Sequence, residues 1–107
     1  YPSMADYLAL KAKALLARGD SASVSDAVRL VEQLVDDYPA MAHYRLLLAN
    51  GLQRMANIDF EAQRSDAARK RLEQAVSVLE ANTEPDQRPA ILNIYIDRLQ
   101  QQLKLLQ

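Results

Sequence analysis

One set of polar side chains in this sequence has the spacing of a stripe along a helix. Its members follow one another at intervals of four, three and four residues: Asn50, Arg54, Asn57 and Glu61. Residues at these intervals share one face of an α-helix. A guanidinium group donates paired hydrogen bonds to a carboxylate, and amide side chains pair with a peptide backbone. The stripe therefore has side chains that can hold a peptide carboxylate or its backbone amides, and a plain solvated helix face is an equal alternative.

The ionisable residues do not have the arrangement of an active site. Carboxylates are numerous, but none is spaced to work with a nucleophile, a histidine or a glycine-rich phosphate loop. The neighbours Asp36 and Asp37 lie at a predicted helix end, where solvated charge is usual. Cysteine is absent and His43 is the only histidine, so a zinc site would have to draw its other ligands from carboxylates. We therefore predict a protein that is not an enzyme and binds no metal or cofactor.

The charges balance, which removes any general attraction to nucleic acid or to an anionic membrane. Lysine and arginine number 13 against 14 aspartate and glutamate residues, a net charge of −1. The densest basic cluster, Arg64 with residues 69–71, spreads around a helix and has no interleaved aromatic residues to stack on bases. No apolar run reaches the roughly 18 residues of a membrane span. We predict neither nucleic acid nor membrane as a partner.

The start of the sequence bears on location. No signal peptide is visible, so we expect a cytoplasmic protein. The first residue is Tyr1 rather than methionine, which indicates a piece excised from a longer chain.

The elements that carry the polar stripe are predicted to be helices. Helix-forming residues dominate the composition, and apolar residues recur at steps of three and four. The predicted helices cover about residues 2–18, 23–37, 40–63, 65–81 and 89–106. The residues predicted to face the core are Met4, Leu8, Ala12, Leu15 and Leu16; Ala27, Leu30, Val31, Leu34 and Val35; Leu48, Leu52, Met55 and Ala62; Ala68, Leu72, Ala75, Val76 and Leu79; and Leu92, Tyr95, Ile96, Leu99, Leu103 and Leu106.

Local signals set the predicted helix boundaries. Gly19 supplies the left-handed residue that commonly follows a helix end. Ser23 with Asp26 has the spacing of a capping box after a polar loop at 21–23, and Ser65 is predicted to cap the fourth helix. Gly51 lies in mid-helix at a cost of roughly 1 kcal/mol relative to alanine, which indicates close approach of a neighbouring helix.

The chain repeats itself. YPSMADY at residue 1 returns as YPAMAHY at residue 38, with five of seven positions identical at an offset of 37. The segments that follow align at an offset of 41, which pairs Ala27 with Ala68 and Val31 with Leu72. Two helix pairs are therefore predicted, and repeats of this length bury their apolar faces by stacking.

These repeated residues resemble tetratricopeptide repeats (TPR). The positions that match are Leu8, Ala12, Leu15, Gly19-Asp20, Ala27, Val31, Leu34 and Pro39 in the first unit, and Leu48, Ala49, Leu52, Ala68, Leu72 and Ala75 in the second. The chain departs from the pattern in its longer first loop, its longer third helix and Glu80 where proline is usual. The tyrosine-proline openings are also similar to the TPR-like tails of some bacterial serine/threonine kinases.

The resemblance implies a fold and a binding face. The expected fold is all-α, with about five antiparallel helices in a right-handed α-solenoid: unit one at 1–39, unit two at 40–82 and a capping helix at 86–106. The inner helices of such a solenoid line a concave groove, and the residues expected there are Lys13, His43, Asn50, Gln53, Arg54 and Asn57. We expect Arg54 to contribute most to binding and its loss to leave the fold almost unchanged. A solvent-facing or capping role is the alternative for His43.

The expected function follows from this groove. We expect a non-catalytic interaction or scaffolding module that binds a peptide, a protein or the remainder of its parent chain. The alternative is a structural spacer or self-association element. The last helix is apolar on more than one side, so the self-association partner is expected to be a second copy that docks there as a homodimer.

Overall fold

The computed structural model of the protein describes residues 3–81 and 85–106, and within these ranges the secondary structure is helical throughout. The helices are α1 (Met4–Arg18), α2 (Ser21–Asp37), α3 (Ala42–Glu61), α4 (Ser65–Glu80) and α5 (Ala90–Leu105), with a short 3-10 turn at Pro85–Gln87. The predicted all-α class is confirmed. The predicted helix opening at Pro2 and the predicted break at 82–84 lie outside the described residues.

The first two helices begin at side-chain caps. Ser3 and Asp6 form a capping box at the start of α1, which the sequence analysis did not predict. The predicted cap of α2 at Ser23 and the loop at 21–23 are wrong. Asp20 is the cap instead: its carboxylate accepts a hydrogen bond from the Ser23 backbone N–H at 3.0 Å, so the helix already begins at Ser21.

The turn between α3 and α4 also differs from the prediction. Helix α3 ends at Glu61, and Gln63 takes the left-handed conformation with φ 63°. The residue before α4 is Arg64, whose side chain makes no cap but returns to the Asp59 carboxylate at 2.9 Å. Ser65 is therefore the first residue of α4, and its predicted role as a cap is wrong.

Each helix packs against its neighbours in the chain, and α1 also touches α3. The inward residues predicted for α4 are all buried, and Gly19 has the predicted left-handed conformation with φ 78°. Two predicted core residues are exposed. Met4 lies on the outer side of the first turn of α1, and Ala62 lies beyond the end of α3. Periodicity placed them inside because it cannot show where a helix face turns away from its neighbours.

Small residues lie at the helix contacts. Ala12, Ala27, Ala49, Ala68 and Ala75 are fully buried in the main core, between larger residues such as Leu52, Leu72, Leu79 and Leu92. A residue without a long side chain lets two helix backbones approach closely. The prediction for Gly51 is confirmed, since a Cβ atom there would lie 2.8 Å from Cγ2 of Val28 and 3.7 Å from Cδ2 of Leu16.

Replacing Gly51 by alanine is expected to destabilise the protein, although alanine is the better helix former by about 1 kcal/mol. The added methyl group would lie 2.8 Å from a valine that has one strongly preferred rotamer in a helix and cannot turn away. We expect a net loss of about 1–2 kcal/mol in urea denaturation. Val28→Ala removes the opposing methyl, so Gly51→Ala should be neutral or stabilising on that background. A stabilising Gly51→Ala change in the native chain would contradict the close approach.

Candidate functional site

A pocket lies where the first halves of α1 and α3 meet. It has a volume of about 300 Å³, and we call it the α1–α3 pocket; its lining residues are Asp6, Ala9, Leu10, Lys13, His43, Tyr44 and Leu47. Leu10 and Leu47 give it apolar walls, while Lys13 and His43 place two nitrogen-bearing side chains at its edge. The pocket therefore joins an apolar surface to a cation, which suits a ligand with both an apolar side chain and a carboxylate.

Tyr44 holds the floor of the pocket in place. Its ring is buried in a small cluster with Ala5, Ala9 and Leu34, so it fills the space between α1, α2 and α3. The ring of Tyr38 meets it edge-on with centroids 6.0 Å apart, and the His43 ring is tilted against it at 4.3 Å. Because its neighbours fix it on several sides, the apolar floor exists before any ligand arrives.

Lys13 is the cation available to a ligand at this pocket. It is exposed on α1, and among the described residues it makes no salt bridge. A carboxylate of a ligand would pair with it in partly solvated surroundings, where an ion pair depends on the salt concentration. Asp6 lines the same pocket and would repel a carboxylate at the far side, which favours one orientation of an acidic ligand.

Arg54 is partly committed to the fold. Its Nη1 atom donates a hydrogen bond to the carbonyl oxygen of Leu16 at 3.2 Å, and its Nε atom donates to Oδ1 of Asn50 at 3.1 Å. The Leu16 carbonyl belongs to the last turn of α1, where no partner exists within the helix. The expectation that Arg54 is independent of the fold therefore needs correction, because its guanidinium links α3 to the end of α1.

Gln53 and Asn57 also hold helices together. The hydroxyl of Tyr95 donates to Gln53 Oε1 at 2.8 Å, and Gln53 Nε2 donates to Gln102 Oε1 at 3.0 Å. Gln102 in turn donates from Nε2 to Oδ1 of Asn57 at 2.9 Å. This chain of hydrogen bonds joins α3 to α5, so Gln53 and the stripe residue Asn57 already have partners within the protein.

The six predicted groove residues are therefore not brought to one place. Lys13 and His43 line the α1–α3 pocket, Asn50 and Arg54 lie at the end of α1, and Gln53 and Asn57 face α5. Tyr44, which lines the pocket, was not among the predicted site residues. The repeated phrase could have identified it, because Tyr44 is the last residue of the second copy and is identical to Tyr7 in the first.

A second polar residue was missed because it is buried. Arg45 is only 4% exposed, and its Nη1 atom donates a hydrogen bond to the carbonyl oxygen of Ala81 at the end of α4. Its Nε atom is buried and has no hydrogen-bond partner among the described residues. The carbonyl end of a helix carries partial negative charge, which favours a cation at this position. Periodicity alone gave no sign that an arginine on α3 would point inward.

The three arginines of the basic cluster at the start of α4 lie near carboxylates. Arg64 and Arg71 both lie against the carboxylate of Asp59, and Arg69 lies between Asp66 and Glu73. No group of three or more metal-binding side chains occurs in the described part of the chain. Within the same residues, no helix combines the length and the apolar character that crossing a membrane requires.

A comparison of the chain with protein-family models, curated proteins and solved structures finds no match in any of the three.

Replacing Tyr95 by phenylalanine is expected to lower the free energy of unfolding by about 0.5–1.5 kcal/mol, because the hydrogen bond to Gln53 is lost. Burial also raises the pKa of the Tyr95 phenol above its value in the unfolded chain. Its contribution to stability is therefore present below about pH 10 and is lost as the pH rises through the folded-state pKa. Urea denaturation between neutral and alkaline pH should show a smaller alkaline loss for Tyr95→Phe than for the native chain. Tyr7→Phe, which removes an exposed phenol, is the matched control.

Arg54→Ala is expected to lower the free energy of unfolding by about 1 kcal/mol, because the Leu16 carbonyl loses its hydrogen bond across the helices. Thermal denaturation measures this loss. Lys13→Ala, which removes an exposed cation that forms no salt bridge within the described part of the chain, should change the melting temperature little. Equal stability for both variants would show that the bond from Arg54 to Leu16 contributes nothing.

Proposed function

We propose that this chain is a non-catalytic helical interaction module that binds an extended, acidic segment of a partner protein in the α1–α3 pocket. The observation that carries the proposal is the apolar lining, with Leu10 and Leu47 as walls and Tyr44 as the floor, beside the exposed cation Lys13. A solvated helix face would have scattered charges. Here instead a fixed apolar surface lies beside a cation that makes no salt bridge with any described residue.

The chemistry of the ligand follows from this arrangement. Alternate side chains of an extended strand point to the same side and lie about 7 Å apart. An apolar side chain inserted between Leu10 and Leu47 would therefore leave the second residue along the strand within reach of Lys13. We propose an aspartate or glutamate at that position, with His43 beside it as a hydrogen-bonding partner.

The wider architecture proposed is a TPR-like right-handed α-solenoid of two helix pairs and a capping helix. Two observations support it: the phrase repeated at the start of α1 and α3, and the flat shape of the molecule, with extents of 45 × 36 × 18 Å. In this arrangement α1 and α3 form one continuous surface, as a shared pocket requires. The module would serve as a regulatory or scaffolding part of a larger, cytoplasmic bacterial protein, of the kind appended to serine/threonine kinases.

Binding can be tested with two peptide libraries. One carries leucine or phenylalanine two residues before aspartate or glutamate, and the other has asparagine or glutamine in place of the acid. We expect the first library to bind more tightly, and Lys13→Glu to weaken binding about tenfold, or ~1.4 kcal/mol. Fluorescence anisotropy measures both, and added salt should reduce the difference between the libraries.

Lys11→Glu is the matched control, because Lys11 is an exposed lysine on another side of α1 and does not line the pocket. It should retain the binding that Lys13→Glu loses. Equal losses of affinity in both variants would indicate attraction to the net charge of the protein. Equal binding of both libraries would show that the peptide carboxylate does not contribute to binding.

A second candidate function is self-association through α5. Ile91, Ile94 and Leu105 are large apolar residues that are at least half exposed, and they lie on the side of α5 away from Leu92 and Leu99. Such a stripe is typical of a helix that docks onto another protein.

Sedimentation velocity tests self-association directly. If α5 forms a homodimer, the sedimentation coefficient should rise with concentration, and Ile94→Gln should abolish the rise. Ile94→Gln should leave peptide binding at Lys13 unchanged, because the two surfaces lie on different helices. A native chain that remains monomeric up to millimolar concentration would exclude this candidate.

A further inference from the structure

Helices α1 and α3 have related sequences but different burial. The offset of 37 residues pairs Tyr7 with Tyr44 and Leu10 with Leu47. Tyr44 is 3% exposed and Leu47 is half-buried, whereas Tyr7 is 57% and Leu10 62% exposed. The same pair of side chains, a tyrosine and a leucine, therefore packs on neighbouring helices in α3 and is exposed to solvent in α1.

The exposed side of α1 forms a continuous strip. We call it the outer face of α1 and define it by residues whose spacing places them on one side of the helix: Met4, Tyr7, Leu10, Lys11, Ala14 and Arg18. The opposite side of α1 carries the buried residues Ala5, Ala9, Ala12 and Leu16. Only Leu10 belongs both to the outer face and to the α1–α3 pocket.

The equivalent side of α3 is covered mainly by α2, with α1 at its edge. A methyl group of Val28 lies against Gly51, and Leu34 packs in the same cluster as Tyr44. Gly51 corresponds to Ala14 at the offset of 37. The outer face of α1 therefore also has a small residue at the position where α2 comes closest to α3. A small residue with larger ones on either side is the surface that lets a second helix approach.

We propose that the outer face of α1 binds an acidic amphipathic helix of the α2 type, with valine-sized apolar residues at steps of three and four. The basis is the internal repeat. Helix α3 carries the same pattern of a tyrosine, a leucine and a small residue, and α2 packs on that pattern. The partner is a helix because the face runs along α1 for its whole length. This surface goes beyond the peptide-binding pocket proposed above and does not depend on it.

Two cations on the outer face of α1 indicate that the partner helix is acidic. Lys11 and Arg18 occupy positions that correspond to Leu48 and Met55 in α3, so the outer face carries two cations where its copy is apolar. Both are exposed, and neither makes a recorded salt bridge within the described residues. Residues 20–38, which include α2, contain five carboxylates and one arginine. A helix with that balance complements Lys11 and Arg18 electrostatically.

The first test uses a synthetic peptide with the sequence of residues 20–38 as the probe. The peptide is titrated into the isotopically labelled protein while the backbone amide signals are followed. We expect shifts at Tyr7, Leu10 and Ala14, and a dissociation constant raised about tenfold by Ala14→Gln, which fills the point of closest approach. Ala90→Gln, at an exposed alanine of α5, is the matched control, and Lys13→Glu should leave this binding unchanged. A scrambled peptide of the same composition should not bind.

A free peptide of this length is only marginally helical, so a second measurement places the helix in the same chain. A copy of residues 20–37 is added directly before residue 1, which reproduces the Asp-Tyr-Pro connection that joins α2 to α3. If the outer face of α1 binds this helix, the melting temperature rises, and Ala14→Gln removes the rise.

Three results would overturn the proposal. One is an extended chain whose melting temperature equals that of a chain with a scrambled addition. Another is a set of peptide-induced shifts confined to the α1–α3 pocket or to α5. The third is concentration-dependent association of the native protein that covers Tyr7 and Leu10 without any peptide, which would assign the outer face to a second copy of this chain.

Discussion

Gly51 lies so close to a methyl group of Val28 that no side chain fits between them without movement of one helix. The distance between α2 and α3 is set at this point. Fully buried alanines such as Ala49, Ala68 and Ala75 likewise allow close approach at the other contacts of α3 and α4. Helices that approach this closely leave little room for large side chains between them. The larger residues, many of them leucines, therefore fill the core on either side of these close contacts.

This close packing gives the long polar side chains a structural role. Arg54 reaches the end of α1, Gln53 and Asn57 reach α5 through Gln102, and Arg45 reaches the end of α4. Each of these contacts joins α3 to another helix by a hydrogen bond at the edge of the core. The long polar side chains of α3 are therefore largely links between helices, and the surface open to a ligand is the α1–α3 pocket, at Lys13 and His43.

The helices themselves could be predicted because apolar spacing and helix-ending glycines are local properties of the sequence. The inward side of α4 and the close approach at Gly51 were predicted for the same reason. The start of α2 was not, because Asp20 and Ser23 are both good capping residues and only the backbone geometry selects between them. The bond from Arg54 to Leu16 spans 38 positions in the chain, and periodicity contains no information about such a pair. Of the residues that line the α1–α3 pocket, Lys13 and His43 follow from their positions on the predicted helices, while the buried Tyr44 does not.

Because each helix packs mainly on its neighbours in the chain, the contacts of this fold are short-range in sequence. Such a topology is associated with rapid folding. It also distributes stability unevenly: α3 is held on two sides by α2 and α4, whereas α1 and α5 are each held mainly by one helix. Local opening should therefore begin at the two ends, and hydrogen exchange should be slowest in the middle of α3. Any ligand that joins α1 to α3 would restrain an end of the molecule that otherwise opens readily, and would extend the cooperative unit toward that end.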